Sequence, residues 1–186
     1  MNWYCDAALG DPFHQPYHDW EYGFPQTEDA VLLERLALEI FQAGLSWLTI
    51  LKKREATVAA FHGFDVDTVA SFGDQDKQRL LDDPGIIRNR LKVDAIIHNA
   101  QIVQNFRETH GSFNQWLAAH HPRKKNEWVT LFKKTFKFTG GEITGEFLMS
   151  LGYLPGAHHE NCPAYEQIES LSPPWMSVGQ DFYRDD

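Results

Sequence analysis

Cysteine is scarce in this chain, which has two among its 186 residues, Cys5 and Cys162. Two cysteines are too few for a disulfide-stapled scaffold. In a reducing compartment, a cysteine near histidines is more often a metal ligand or a buried apolar group than half of a disulfide. Basic residues are also outnumbered, 17 against 26 acidic, which gives a formal net charge of −9. This balance argues against a protein that coats nucleic acid, but it allows a local basic face.

Long apolar runs are absent too. No stretch approaches the ~18 consecutive apolar residues of a membrane span, and the first ten residues lack the basic segment and apolar run of a secretory leader. We therefore expect a cytosolic protein without membrane contact. Because 42% of the 186 residues are apolar, we expect one compact domain with helical lobes over residues 1–186. Its proline-punctuated tail, from about residue 170, should pack loosely.

The residue pattern is helical almost throughout, and no strand, internal repeat or low-complexity linker stands out. Thr27 followed by two acids predicts a helix start, and apolar residues then surround nearly the whole helix as far as Gly44, so this helix should be buried. Ser46 is suited to begin the next helix, whose solvent side carries the sequence KKRE. Further helices are predicted over residues 66–71, 75–82, 90–108, 113–120, 127–136 and 142–151. The expected fold class is all-α.

Both cysteines have histidines within reach. The candidate ligands are Cys5, His18, Cys162 and either His158 or His159. Two thiolates and two imidazoles form a tetrahedral zinc site of the closed, structural type. Such a site would join residues 1–20 to residues 155–165 and would restrict the unfolded chain. Spacing alone also allows two unrelated cysteines, one of them in an ordinary polar loop.

One carboxylate interrupts the helix that should be buried. Glu39 lies three residues after Leu36 and seven after Leu32, so it projects from the same face as core leucines. A buried carboxylate is costly unless a partner satisfies it. Two interpretations are open from periodicity: an ion pair with Arg35, four residues earlier, or a recognition carboxylate in a pocket walled by Trp47.

A basic turn lies near the middle of the chain. The sequence DPGIIRNRLK places Pro84 and Gly85 ahead of a helix start, where exposed backbone amides bind phosphate well. Arg88, Arg90 and Lys92 follow the turn. An ordinary helix connection with a solvated basic side fits the same residues.

Four segments together resemble a known family. In order along the chain they are DPFHQPYHDWEYGFP, LEIFQAGLSWLTILKKRE, GIIRNRLKVDAIIHNA and FLMSLGYLPGAHHENC. Their sequence, order and separation over residues 5 to about 165 are similar to those of the 3-methyladenine DNA glycosylase I family. The resemblance implies an all-helical helix-hairpin-helix fold with one structural zinc ion. The family's pattern of a histidine, three residues and a cysteine falls on His158 and Cys162, which with Cys5 and His18 would hold the zinc.

The resemblance also implies a base pocket. It places the family's base-binding glutamate on Glu39, its pocket tyrosine on Tyr17 and its pocket tryptophan on Trp47. The basic turn becomes the family's DNA-binding hairpin, and the basic residues after the pocket tryptophan become candidates for the phosphates that flank an extruded nucleotide. The DNA contacts expected in this way are Gly85, Arg88, Arg90, Lys92, Lys52, Lys53 and Arg54.

The chain departs from the family pattern at one wall of this pocket. Family members usually carry an aromatic residue where this chain has Ala7, and often another where it has His14. The tryptophan common after the sequence YHD is here Tyr22, with an additional Trp20 beside it. We expect His14 and Trp20 to lie in the base pocket, with Trp3 or Trp20 replacing the missing wall.

The implied activity is that of a monofunctional DNA glycosylase. Such an enzyme releases cationic 3-methyladenine from alkylated double-stranded DNA and leaves an abasic site. We expect a monomer that acts at a bacterial-type nucleoid. Two alternatives are open: a relative that removes another alkylated base, and a noncatalytic, zinc-stabilised helical module that binds DNA.

Overall fold

The computed structural model describes residues 4–184, and every regular element in that range is a helix. The α-helices are α1 (Tyr4–Ala8), α2 (His14–Trp20), α3 (Asp29–Gln42), α4 (Trp47–Ala60), α5 (Val66–Ala70), α6 (Asp74–Asp82), α7 (Arg90–Thr109), α8 (Phe113–His120), α9 (Lys125–Thr135), α10 (Gly141–Ser150) and α11 (Pro163–Ser170). The all-α prediction is confirmed for this range. None of its helices combines the length and apolar character needed to cross a membrane.

Helix α3 lies at the centre of the fold. Its residues from Leu32 to Phe41 are nearly all buried, as the apolar sequence predicts, and it packs against α4, α7, α8 and α10. Each enclosed leucine contributes about 1.5–3 kcal/mol relative to an exposed one. The helix is therefore a rigid support for the two charged side chains buried on it, Arg35 and Glu39.

The turn between α3 and α4 contains the glycine stop and the serine cap that the sequence predicts. Gly44 has a φ of +82°, a left-handed conformation that glycine adopts without strain, and it ends α3. The Ser46 hydroxyl accepts a hydrogen bond from the Thr49 amide at 3.2 Å and caps α4. Trp47 is thereby the first residue of α4. The start of α3 is less well predicted, because the cap position is Glu28 and not Thr27.

The predicted hairpin joins α6 to α7. Asn89 caps α7, since its side-chain oxygen accepts from the Lys92 amide at 3.2 Å. Lys53 Nζ on α4 donates to the Pro84 carbonyl at 2.8 Å, which holds the basic end of α4 beside the hairpin. The Gly85 amide, expected to bind phosphate, instead donates to the Asp83 carboxylate at 2.7 Å.

Lys92 corrects one prediction from the sequence. It was expected to contact DNA, but it is only 5% exposed, and its ammonium group donates to the carbonyls of Phe41 and Ala43 at 2.8 and 2.6 Å. Those carbonyls lie at the end of α3, where no later amide in the helix can satisfy them. Lys92 therefore holds the end of α3 against α7 and does not reach DNA phosphates.

The two ends of the chain are more ordered than the sequence suggests. Helices α1, α2 and α11 were not predicted. The tail, expected to be loose, packs onto the core: Trp175 is buried, its amide donates to the Gly152 carbonyl at 3.0 Å, and the Tyr183 hydroxyl lies 2.9 Å from His121 Nε2. One buried tryptophan offers a large apolar surface that anchors a tail with two prolines.

The role of Lys92 predicts a stability effect. Replacing it by Met keeps the bulk of the side chain but leaves two helix-end carbonyls unsatisfied, so Lys92→Met should lower the free energy of unfolding by about 2–4 kcal/mol. Urea denaturation would measure this. The matched control is Arg90→Met in the same helical turn, where the side chain is exposed and stability should stay within about 0.5 kcal/mol. Equal stability of the two variants would contradict the assignment.

Candidate active site and metal centre

The four predicted metal ligands meet in the structure. Cys5 lies on α1, His18 on α2, His158 in the loop before α11, and Cys162 at the cap of α11. Each is buried, and their candidate ligand atoms all lie within 4.8 Å of one another. Together they form a group that could bind a metal ion, and His158 rather than His159 belongs to it.

Each histidine of this group is oriented by a second hydrogen bond. His158 presents Nδ1 to both sulfurs, at 3.6 Å from Cys5 and 3.4 Å from Cys162, while its Nε2 lies 2.7 Å from the Tyr22 carbonyl oxygen. His18 presents Nε2 to Cys162 at 3.5 Å, while its Nδ1 lies 2.6 Å from an Asp19 oxygen. Such outer partners fix the tautomer and ring orientation of a metal-binding histidine.

Burial disfavours charge on this group unless a cation is present. Burial raises the pKa of the Cys5 thiol to about 11 and lowers the pKa of His158 to about 4. The histidine is therefore neutral and can offer a lone pair. A thiolate at this depth needs a positive partner, and a metal ion would provide one.

A cleft of about 1040 Å³ opens beside this group. Its aromatic lining comes from α1, α2, the residues after α2, and the start of α4, namely Tyr4, Tyr17, Tyr22 and Trp47. Three glutamates line it, Glu39 from α3 and Glu142 and Glu146 from α10, and the Glu142 side chain is largely exposed to solvent. The cleft thus combines flat apolar faces with acidic groups, a composition suited to a planar, positively charged ligand.

Glu39 is the buried acid of the cleft and is 5% exposed. Burial is the main reason that its pKa rises to about 8; the charge of Glu146 adds to the rise and Arg35 opposes it. Among residues 4–184, no ion pair joins Glu39 to Arg35, because the Arg35 guanidinium donates to Glu21 at 2.8 Å and to the Tyr17 hydroxyl at 3.2 Å. The ion-pair interpretation of Glu39 is therefore wrong.

Arg54 corrects a second prediction. It was expected to bind DNA, but its guanidinium makes two hydrogen bonds to Glu21, at 2.7 and 2.8 Å, and a third to Glu34 at 2.7 Å. Burial by itself would raise the pKa of Glu21, yet the bond from Arg54 and the charges of Arg35 and Arg54 outweigh it, so the pKa is lowered. This ionic cluster fastens the end of α2 to α3 and α4 and is not available to phosphates.

Tyr17 and Trp47 form adjacent walls of the cleft. Their ring centroids lie 5.1 Å apart in an edge-to-face arrangement. Because Arg35 donates to the Tyr17 oxygen, the phenolic hydrogen is left to point elsewhere, and it can be donated to a ligand. Burial raises the pKa of Tyr17 above its usual range, so the group stays protonated.

Tyr4 forms the wall of the cleft that was expected from His14 and Trp20. Trp20 is 66% exposed and does not line the cleft. His14 lies behind the lining, with Nδ1 3.0 Å from the hydroxyl of Tyr4, and Tyr4 is the aromatic wall itself. Trp3 lies outside the described residues. The sequence does place Tyr4 directly before Cys5, a predicted metal ligand. That neighbour fixes the position of Tyr4 in the fold and could have indicated its place in the cleft.

The second acid of the cleft, Glu146, was also missed. It lies on α10 and accepts a hydrogen bond from the Tyr22 hydroxyl at 2.9 Å. Burial raises its pKa. The sequence around Glu146 gives no indication of its partner, because Tyr22 is 124 residues away.

The other predicted DNA-contacting cations lie on α4 and near the hairpin. Arg88 and Arg90 are exposed on the hairpin side, and within the described part of the chain neither takes part in an ion pair. Lys52 is exposed on α4 with its ammonium 5.4 Å from the centre of the Phe13 ring, and Lys53 contacts the hairpin. Of the predicted DNA contacts, these four cations are accessible.

Comparison with known proteins gives a consistent result. A family model described as methyladenine glycosylase matches residues 7–165. DNA-3-methyladenine glycosylase 1 of Escherichia coli (strain K12) is 36% identical, over 87% of this chain and 96% of that protein. Among solved structures, 3-methyladenine DNA glycosylase I from Staphylococcus aureus, studied for its recognition of 3-methyladenine, is 33% identical with a TM-score of 0.78, over 87% of this chain and 95% of that one. A variant 3-methyladenine DNA glycosylase I in complex with 3-methyladenine is 33% identical with a TM-score of 0.79, over 89% of this chain and 98% of that one.

The raised pKa of Glu39 predicts a pH effect on stability. The ordinary value is 4.5 and the folded value is about 8, so between these values the folded state binds more protons than the unfolded state. Stability from this group is complete below the ordinary value and is lost as the pH rises toward 8, with a slope of at most about 1.4 kcal/mol per pH unit.

The Glu39→Gln variant has no carboxyl group at this position, so it does not lose this stability as the pH rises. Its free energy of unfolding, relative to the unmodified protein, should therefore increase steadily between pH 5 and pH 8 in urea denaturation. Glu108→Gln, at an exposed position on α7, should show a constant difference. A constant difference for Glu39→Gln as well would mean that the carboxyl is ionised in the empty cleft.

Proposed function

This chain belongs to the methyladenine glycosylase family, and on that premise we propose that it is a base excision repair enzyme. It hydrolyses the N-glycosidic bond of 3-methyladenine in alkylated DNA and leaves an abasic site. The observation that carries this assignment is the buried carboxyl of Glu39 in an aromatic cleft, where it has no ion-pair partner among residues 4–184. Such a carboxyl is costly in an empty protein and useful once a cation enters.

Recognition in this proposal depends on charge and shape. A base methylated at N3 carries a positive charge, whereas normal adenine does not. The cation lowers the pKa of Glu39 again by direct attraction, so that the carboxyl ionises as the base binds. Tyr17 donates its phenolic hydrogen to the base, and Trp47 provides a stacking face.

The chemical step makes modest demands on the protein. The base must leave the duplex stack to reach the cleft, which favours damaged and weakly stacked bases. Its positive charge already makes it a good leaving group, so the glycosidic bond is weak. Glu39 and the aromatic walls hold the base while water attacks the sugar carbon. The electron pair of the broken bond neutralises the departing base, and the water passes one proton to solvent as the sugar hydroxyl forms.

We assign DNA binding to the accessible cations. Lys52, Lys53, Arg88 and Arg90 lie on α4 and around the hairpin, close enough for Lys53 to contact the Pro84 carbonyl. They contact phosphates and set the position of the duplex, without reading sequence. The helix-hairpin-helix unit is α6, residues 83–89 and α7, and a single copy of the chain is sufficient for it.

We assign zinc to the group of two cysteines and two histidines. A tetrahedral zinc ion with ordinary ligand distances separates sulfur from nitrogen by about 3.6 Å. Three of the four sulfur-to-nitrogen distances in this group are 3.4, 3.5 and 3.6 Å, and all ligand atoms lie within 4.8 Å of one another, so the residues fit. Bound there, zinc would supply a closed structural crosslink with no open position for substrate.

Base release from methylated DNA tests the proposed activity. The unmodified protein should release 3-methyladenine, detected by chromatography, and Glu39→Gln should release it at least ~10-fold more slowly, since loss of a charge-assisted contact costs ~1.4 kcal/mol or more. The fold should survive, and Glu108→Gln should match the unmodified protein. DNA binding without release of any base would identify a noncatalytic module. Release of a different base alone would identify another substrate.

The metal assignment predicts zinc content and stability together. Purified protein should contain about one zinc per chain, measured by mass spectrometry of the element. Cys162→Ala should lose the metal, and its melting temperature should fall by about 10 °C or more, since ~1 kcal/mol corresponds to ~2–4 °C in a chain of this size. His159→Ala should retain the zinc. Unchanged zinc content and melting temperature in Cys162→Ala would rule out the site.

A further inference from the structure

Glu146 is a second acidic group in the base cleft that the activity proposed above does not use. Resting on that proposed function, we infer that Glu146 is a specificity residue. With Glu39 it makes the cleft accept a positively charged base and disfavour a neutral base of the same shape.

The first support is the position of Glu146. It lines the same cleft as Glu39 but from the opposite element, α10 rather than α3. A planar base that enters between the aromatic walls therefore meets a carboxyl group from each of two helices. Two carboxyl groups in one partly desolvated site attract a cation more strongly than one does, because the attraction from each adds.

The second support is that Glu146 is held in place. The Tyr22 hydroxyl donates to it at 2.9 Å, and Tyr22 is itself buried, with its carbonyl 2.7 Å from His158 Nε2. A flexible surface glutamate would pay rotamer entropy on binding a ligand, whereas a carboxyl fixed by a buried phenol does not. The fixed position makes Glu146 part of the recognition geometry.

The third support is the charge balance of the cleft. No lysine or arginine appears among the described residues that line it. Arg35 is the nearest buried cation on α3, and its guanidinium is paired with Glu21. Arg35 attracts the Glu39 carboxyl, and Lys125, which pairs with Glu142 at 3.6 Å, attracts the Glu146 carboxyl, but burial keeps the pKa of both groups raised. The charge of Glu146 disfavours ionisation of Glu39, and a cation in the cleft opposes that effect. A neutral base offers neither carboxyl this attraction and removes water from both groups.

The alternative is that Glu146 only supports Tyr22. That role would preserve the shape of the cleft for every ligand, charged or neutral. The recognition role affects charged ligands selectively. A neutral base of the same shape separates the two, and 3-deaza-3-methyladenine, in which carbon replaces the methylated ring nitrogen, is such a base.

The test compares Glu146→Gln with the unmodified protein in two assays. Glutamine keeps the size of the side chain and an oxygen that can accept from Tyr22. Release of 3-methyladenine from methylated DNA should fall at least ~10-fold, whereas the preference for a duplex carrying 3-deaza-3-methyladenine over unmodified duplex should stay the same or rise. Glu108→Gln controls for loss of one negative charge, and it should alter neither quantity.

Tyr22→Phe provides a second variant, which removes the hydrogen bond and keeps the ring. It should show the same selective loss, smaller in size, and the double variant should lose less than the sum of the two single losses, because both act through one carboxylate. Melting temperature and zinc content establish that each variant is folded.

Each outcome decides the question. A selective loss of release from the cationic substrate supports the inference. Equal losses in both assays assign Glu146 to cleft structure alone, and unchanged release by a folded Glu146→Gln protein removes it from recognition; either result overturns the inference while the glycosylase activity stands. If the unmodified protein releases no base, the proposed function itself fails.

Discussion

The walls of the cleft depend on four residues that bring the two ends of the chain together: Cys5, His18, His158 and Cys162. Three of these residues are each preceded by a residue that lines the cleft: Tyr4, Tyr17 and Ala157 come directly before Cys5, His18 and His158. Fixing the ligand atoms therefore fixes the walls. Helices α1 and α2 contain only five and seven residues, too few to be stable in isolation, so their positions rely on the contacts among these four residues and on the packing around them.

A second constraint is the separation of two buried charges on α3. Arg35 and Glu39 lie one turn apart, and a direct pair would cancel both. The structure gives Arg35 another partner, Glu21, which also binds Arg54. This cluster holds α2, and therefore Tyr17, against α3 and α4. It also leaves Glu39 for a ligand. One set of ion pairs thus positions the pocket tyrosine and prevents the pocket acid from being neutralised by its own helix.

The sequence predicted what depends on local pattern and could not predict what depends on distant partners. The burial of α3, the helix break at Gly44 and the cap at Ser46 follow from periodicity and from the chemistry of single residues, and they are confirmed. Lys92 and Arg54 look like surface cations in sequence, since their partners at the end of α3 and on Glu21 are remote. Trp20 was expected in the cleft and Tyr4 was missed, because residue type alone does not show which aromatic side chain faces inward. Glu146 could be found only once Tyr22 was placed beside it.

The positive charges on the surface and the acidic groups of the cleft have two separate proposed roles. In the proposed function, the cations on α4 and the hairpin attract the phosphates of any duplex, and they carry no information about damage. The glutamates of the cleft would disfavour the phosphate backbone there and would attract a positively charged base once that base is extruded. A uniformly basic protein would bind DNA more tightly but would leave the cleft less negative and the cationic base less favoured. The net charge of −9 is consistent with this division, because selection of the damaged base requires negative charge inside the cleft and modest, local positive charge outside it.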